Sequence, residues 1–261
     1  MQKNALLIID AQYDFCNPKG ALYVQGADKD MERLSQFIQN NIFQLHQIFL
    51  SIDNHTINDI AHPSFWEDNH KKHPTPFTQI ISQDVRTGKW KARFEPEKSL
   101  EYLEKLEKDG KFIHFIWNPH CLIGSLGASI DERIMQATLA WSKVSGKDYI
   151  AFYKGMYPYS EHFGIFAAQI PDETVVETQL NKNLINSLLQ YEKVYVAGEA
   201  KSHCVATSIQ QAIDFAPELV QKMVIIEDCM SDVAGLGYLG EPVYKKAKAL
   251  GVAFINSKTF I

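Results

Sequence analysis

Short runs of consecutive apolar residues, each stopped by a polar residue or a glycine, alternate along the chain with stretches whose apolar positions fall three or four apart. The first kind reads as buried strand and the second as helix packed on one face. Strands are expected over residues 4–9, 46–52, 111–116, 149–153, 194–197, 223–226 and 252–255. Between them, Met31, Leu34, Phe37 and Ile38 share a helix face behind an Asp28 cap, and Leu100, Leu103 and Leu106 share another, opened by Pro96 and closed by Gly110. Further helices carry Ile130, Ile134 and Trp141, then Leu184, Ile185 and Leu188, then Val205, Ile209 and Ala212, with a last one near 243–250. Such alternation predicts an α/β, doubly wound, mostly parallel sheet with helices on both faces and right-handed crossovers. No repeat or linker divides residues 1–261, so a single domain is expected. It carries an irregular insert at about residues 60–95, where Phe65, Trp66, Phe77, Trp90 and Phe94 are too much apolar surface to leave in water. The insert is expected to cover the site or to pack against a neighbouring subunit.

Charge narrows the partners. The formal net charge is -5, with no basic stripe, which argues against nucleic acid and anionic membrane surfaces and for a small-molecule substrate. Four cysteines, Cys16, Cys121, Cys204 and Cys229, stand far apart without paired spacing, so neither a zinc ribbon nor a disulfide framework is indicated and a reducing cytoplasm is expected. The opening apolar run is short and ends in Asp10, which reads as a first strand rather than a signal peptide.

In a parallel sheet of this kind ligands bind outside the carboxyl ends of the strands. Asp10, Asp53, His120, Lys154 and, after a turn, Cys204 are expected at those ends. Cys204 opens a helix, where unpaired N–H groups and the helix dipole favour a thiolate and can hold an oxyanion. A thiol is mostly protonated at neutral pH, so it needs a base and a nearby cation, roles open to Asp10 and Lys154. Each has a plainer alternative: a small hydrophobe under a helix, a loop cap, a solvated strand end. Asp53 and His55, two apart in an extended segment, face one side and with His120 form a donor set suited to Zn²⁺, Fe²⁺ or Mn²⁺, with His62 as an additional ligand in reserve. His203, beside Cys204, points away from it along a helix and is given a packing role.

At these residues the chain resembles the isochorismatase-like cysteine hydrolases, and among them the nicotinamidases. The likeness runs through DAQYDF at 10–15, Asp53-x-His55, WNPHCLIGSLGA at 117–128, YKG at 153–155 and AGEAKSHCV at 197–205. It implies a six-stranded sheet in the order 3-2-1-4-5-6, a catalytic triad of Asp10, Lys154 and Cys204, and a divalent metal on Asp53, His55 and His120. It also implies a cis peptide before Ala200, an oxyanion hole from the Ala200 and Cys204 N–H groups, and Phe15 and Trp117 on either side of a substrate ring. The implied activity is hydrolysis of a small amide, nicotinamide first, through an acyl-thioester, by a cytoplasmic homo-oligomer serving NAD salvage. Its rivals are a same-fold hydrolase of another amide or ureido compound and a catalytically idle metabolite-binding member. The chain departs from the pattern where nicotinamidases carry an apolar residue, Ala-Thr-Asp and a neighbour of the cysteine: here stand Glu199, Ala200, Lys201, Ser202 and His203.

Overall fold

The computed structural model describes residues 3–109 and 113–261. Six parallel strands form one sheet: β1 (Asn4–Ile9), β2 (Leu45–Asp53), β3 (Ile150–Lys154), β4 (Lys193–Gly198), β5 (Met223–Ile226) and β6 (Ala253–Ile255). Numbered this way, the order across the sheet is 3-2-1-4-5-6, the expected one. β1 and β4 sit in the middle and are buried on both faces, which is why they read as unbroken apolar runs.

The period-two alternation of β1 sends its side chains into two cores. Ala5, Leu7 and Ile9 point to one face, where they meet Leu184, Ile185 and Leu188 of helix α4 (Lys182–Leu189) and Ile209 and Ala212 of helix α5 (Ala206–Phe215). Leu6 and Ile8 point to the other, against Met31, Leu34, Phe37 and Ile38 of α1 (Ala27–Asn40) and Ile134, Ala137 and Trp141 of α3 (Glu132–Ser145). The helix periodicities therefore mark the faces they were expected to mark. Asp28 does not cap α1, however: the N-cap is Gly26 at φ 102°, and Asp28 lies in the first turn accepting from the Tyr23 hydroxyl.

The insert builds a third core instead of joining the sheet. Phe65, Trp66 and Ile80 pack on Tyr102, Leu103 and Leu106 of α2 (Pro96–Asp109) and on Ile116, with Trp90, Phe94 and Tyr159 around them. This corrects the expected third strand. Gly110, Lys111 and Phe112 lie outside the described residues, and His114–Phe115 pairs antiparallel with Gln79–Ile80 away from the main sheet. Two residues of strand are enough to close the insert's core but too few to enter a buried parallel ladder. The edge beside β2 is taken by β3, and the seventh apolar run, 252–255, supplies β6. Among the described residues no helix is long and apolar enough to cross a membrane.

Candidate active site

The sheet order brings four strand ends side by side, and each delivers one charged or nucleophilic side chain. Lys154 ends β3, Asp53 ends β2, Asp10 follows β1, and Cys204 follows β4 after a turn. In register, Lys154 lies opposite Asp53, and Ile9 opposite Gly198. Asp10 turns out of the strand at φ 47°, a left-handed conformation that costs a non-glycine residue about 1–3 kcal/mol and survives only where the surroundings fix it. Ser51 does the fixing: its hydroxyl accepts from the Asp10 N–H at 2.9 Å and donates to Asp10 Oδ1 at 2.5 Å. Gly198, at φ 121°, has no room for a side chain because a Cβ would stand 2.0 Å from the Ile9 carbonyl oxygen. The peptide between Glu199 and Ala200 is cis, as the resemblance implies. Residues 201–205 then form a wide turn in which the His203 and Val205 N–H groups both donate to the Ala200 carbonyl, and Cys204 sits in that turn, just ahead of α5.

The Lys154 ammonium is the hub. Its Nζ lies 2.9 Å from Asp10 Oδ2, 3.0 Å from Asp53 Oδ1 and 3.9 Å from Cys204 Sγ, and it donates to the His162 carbonyl at 2.8 Å. All four side chains are buried. Burial works against the lysine's charge, but Asp10 and Asp53 outweigh it and hold the ammonium well above the ordinary lysine range. Burial also pushes the Asp10 carboxyl up, with Lys154 pulling it back and Asp53 adding to the rise. The Cys204 thiol is pushed well up by burial, lowered by Lys154 and raised again by Asp10 and Asp53. Desolvation and two neighbouring carboxylates exceed the lysine, so the sulfur keeps its proton until a base takes it. Asp10 and the sulfur are both held on the Lys154 ammonium, which puts the carboxylate in place to take that proton.

Beside the hub, Asp53, His55 and His120 bring one donor atom each to within 4.8 Å of one another, all buried. Asp53 Oδ2 is 2.9 Å from His55 Nε2 and 3.8 Å from His120 Nε2, spacings that suit donors about 2.0–2.2 Å from one ion. The Nδ1 atoms all face away, to Asp59 Oδ2 at 3.1 Å from His55, to the Asn118 carbonyl at 2.8 Å from His120 and to the Thr56 carbonyl at 3.1 Å from His62. The Asn118 and Thr56 carbonyls hold a proton on Nδ1 of His120 and His62 and turn an unprotonated Nε2 to the centre, the tautomer that ligates a metal. Burial works against a charge on His55, but Asp53 and Asp59 outweigh it and raise it to about 10, so His55 would give up its Nε2 proton when an ion binds. His62 stands at the edge of the group, its ring 5.3 Å from those of both His55 and His120, and its buried Nε2 has no hydrogen-bond partner. The donor set and the orphaned nitrogen fit a divalent cation. Burial first, and then the neighbouring rings, hold both His62 and His120 down to about 3, so both are neutral at physiological pH.

His120 reaches this place without a sheet strand, contrary to expectation. Residues 120–123 instead pair with the end of the β2 segment, His55 donating to the Cys121 carbonyl at 3.0 Å and Ile123 donating to the His55 carbonyl at 3.0 Å. The residues inside DAQYDF hold that loop, a role the sequence did not reveal because it depends on partners more than 40 positions away. Gln12 clamps Asp53, accepting from its N–H and donating to its carbonyl, both at 2.7 Å. Asp14 accepts from the Cys121 N–H at 2.8 Å.

The Cys204 thiol, the Asp53 carboxylate and the His55 and His120 imidazoles line one cavity. Phe15 and Trp117 both wall it, as do Phe163, His203 and Ala200. His203 is thus part of the wall, its ring edge-on to Trp117 at 5.4 Å and to Phe163 at 5.6 Å. Burial pushes it to about 4, so it is a neutral wall. Glu161 also lines the cavity and escaped notice in the sequence. It is buried, accepts from the Trp117 indole at 2.9 Å, from the Tyr102 hydroxyl at 3.3 Å and contacts His114 Nδ1 at 3.2 Å, joining the insert's core to the ring wall.

No protein-family sequence model matches the chain, and no curated protein matches it in sequence. Solved structures do match along nearly its whole length. A yeast nicotinamidase bound to the inhibitor nicotinaldehyde is 18% identical with a TM-score of 0.67, covering 97% of this chain and 99% of its own. A nicotinamidase/pyrazinamidase from Acinetobacter baumanii is 21% identical with a TM-score of 0.64, covering 98% and 97%. A pyrazinamidase from Pyrococcus horikoshii, in complex with zinc, is 16% identical with a TM-score of 0.55, covering 97% and 99%. The chain has the isochorismatase-like fold these structures share.

Proposed function

We propose that this chain, built on the nicotinamidase fold, is a cysteine-dependent amidohydrolase whose favoured substrate is nicotinamide, which it hydrolyses to nicotinate and ammonia. The observation that carries the reading is the buried Lys154 ammonium, held between Asp10, Asp53 and the Cys204 sulfur, the last two of which line a cavity walled by aromatic rings. A buried thiol with its proton on, sharing one ammonium with a carboxylate, is a nucleophile waiting for its base.

In the proposed reaction Asp10 takes the Cys204 proton as the sulfur attacks the amide carbon, and Lys154 balances the charge left in the pocket. The carbonyl oxygen, now an oxyanion, is held by the Ala200 and Cys204 N–H groups, an arrangement whose donors are typically worth about 2.7–4 kcal/mol each. Asp10 returns the proton to the departing ammonia, and a thioester joins the acyl group to Cys204. Water, relieved of a proton by Asp10, then cleaves the thioester to carboxylate and thiol. Phe15 and Trp117 hold the substrate ring between them, and His203 and Phe163 close its edge.

Asp53, His55 and His120 would hold a divalent cation, Zn²⁺ in first place and Fe²⁺ or Mn²⁺ behind it, with His62 completing the set. Once bound, such an ion supplies a Lewis-acid point for a pyridine nitrogen or for water. Donors and nucleophile share one cavity, which favours a heteroaromatic amide over ureido compounds. The zinc and nicotinaldehyde complexes of the structurally similar proteins support the same choice. A cytoplasmic role in returning nicotinamide to pyridine nucleotide synthesis follows from that substrate.

Ammonia release from nicotinamide, pyrazinamide and a set of ureido compounds tests the reading. Turnover is expected on the two pyridine-type amides and to vanish in Cys204→Ala. Turnover on ureido compounds alone contradicts the substrate, and full activity of the Cys204→Ala protein contradicts the mechanism.

A further inference from the structure

The residue just before the turn that carries Ala200 and Cys204 is a glutamate with no exposed surface. Glu199 donates its N–H to the Ile9 carbonyl at 2.8 Å, so its backbone continues the sheet while its side chain points into the protein. Oε2 accepts from the Ser231 N–H at 3.1 Å. Oε1 is buried and meets no donor. Ser231 also holds the carboxyl of Asp30 on α1, itself buried, so two buried carboxyls meet at one serine. Asp30 is already served: Arg33 pairs with Oδ1, and the Ser231 hydroxyl donates to Oδ2.

Two buried carboxylates against one guanidinium would leave a net negative charge away from water, with one oxygen unsolvated. That arrangement costs several kcal/mol unless a proton joins it. Placed on Glu199 Oε1, the proton removes the surplus charge and turns the orphaned acceptor into a donor aimed at Asp30. We infer that Glu199 is carried as a neutral carboxylic acid hydrogen-bonded to Asp30, and that this shared proton makes it a positioning residue for the turn bearing the Ala200 and Cys204 N–H groups. The second half rests on the proposed oxyanion role of those groups.

The surroundings agree. Burial and then the Asp30 charge push the Glu199 carboxyl well above the ordinary range. The other titratable groups facing it are Asp232, the Cys16 and Cys229 thiols and the Tyr244 phenol. Burial pushes both thiols and the phenol up as well, so they are neutral and leave Arg33, on the far side of Asp30, as the balancing cation. Through Ser231 the pair fastens residues 229–233 over the turn. Gly198 donates to the Cys229 carbonyl at 3.1 Å, Lys201 donates to the Ser231 carbonyl at 2.8 Å, and the Val233 N–H donates to Ser202 Oγ at 3.1 Å. Val233 lines the cavity. Ionising Glu199 would set two carboxylates against each other under this strap.

Glu199→Gln isolates the proton, because a glutamine amide donates to Asp30 and accepts from Ser231 at every pH. A carboxyl whose folded pKa lies above its unfolded value adds stability that is complete below the unfolded value and is lost as pH rises toward the folded one. The wild-type Tm should therefore fall with rising pH relative to Glu199→Gln, the gap widening toward alkaline pH. At neutral pH the wild-type infrared spectrum should hold a neutral-carboxylic-acid carbonyl band that Glu199→Gln lacks. Parallel Tm curves, or no band sensitive to the substitution, overturn the neutral acid. Neither readout needs turnover, so both stand if the amide reading fails. For positioning, Glu199→Ala should lower kcat by about tenfold or more with KM little changed, since the loss falls on the oxyanion donors, while Glu199→Gln restores most of it. If Glu199→Ala keeps wild-type kcat, or Glu199→Gln loses as much as Glu199→Ala, the positioning role is overturned. Should Glu199→Ala fail to fold, the kcat of Glu199→Gln decides.

Discussion

Lys154 answers to two carboxylates and one sulfur, and its removal should be felt in stability before it is felt in chemistry. Lys154→Met leaves Asp10 and Asp53 buried without their cation, and breaking a buried pair from one side costs about 3–5 kcal/mol. Because the lysine's folded pKa is raised, its contribution is complete below the ordinary lysine pKa of about 10.4 and is lost only above it. Denaturant titrations of wild type and Lys154→Met should thus show an undiminished gap at neutral pH and a narrowing one in strong alkali; a gap absent at neutral pH would contradict the hub. Asp59 offers a second test at this scale. It reaches the donor group only by fixing His55 Nδ1, so Asp59→Ala should weaken divalent metal retention by about 10–100-fold without removing a ligand. Elemental analysis after dialysis against a graded chelator measures this, and wild-type retention in the variant would contradict it.

Among the elements, the strand ends were legible and the loops between them were not. Asp10, Asp53, Lys154 and Cys204 could be placed because unbroken apolar runs mark buried parallel strands, and a residue directly after such a run has one place to be. His120 was expected at a strand end and arrives on a loop, since the pairing of residues 120–123 with His55 is set by Asp14 and Gln12, and period-based reading sees only near neighbours. Glu161 and Asp59 were invisible for the same reason: a buried carboxylate shows its purpose only in the donors that surround it. Gly155 is a test of how tightly the elements meet. At φ 80° its missing Cβ would stand 2.5 Å from Asp53 Oδ1, so Gly155→Ala should cost more than about 1 kcal/mol in stability and disturb the Asp53–Lys154 contact as well. An unchanged urea midpoint would show that the strand ends have slack that the structure denies.

Across the whole molecule, the two cores on either face of the sheet border the cavity, and the third, the insert's, reaches it through Glu161, which joins Tyr102 to Trp117. The insert's aromatics were expected to need a receiving surface; that surface is α2 and Ile116, with Phe77 left half exposed against Trp117. Replacing residues 64–93 by a short Gly-Ser linker should then raise KM more than it lowers kcat, because Trp117 and Glu161 lose their backing while Cys204 keeps its own. Unchanged kinetics on every amide tested would detach the insert from the site. The central claim, that Cys204 carries the acyl group, is reached most directly by intact-protein mass spectrometry of enzyme acid-quenched during turnover of nicotinamide. A wild-type species heavier by one nicotinoyl group in place of one hydrogen, mapped to the Cys204 peptide and missing from Cys204→Ala, is the predicted result. Ammonia release at the wild-type rate by the Cys204→Ala protein, or an adduct mapped to any other residue, would contradict it.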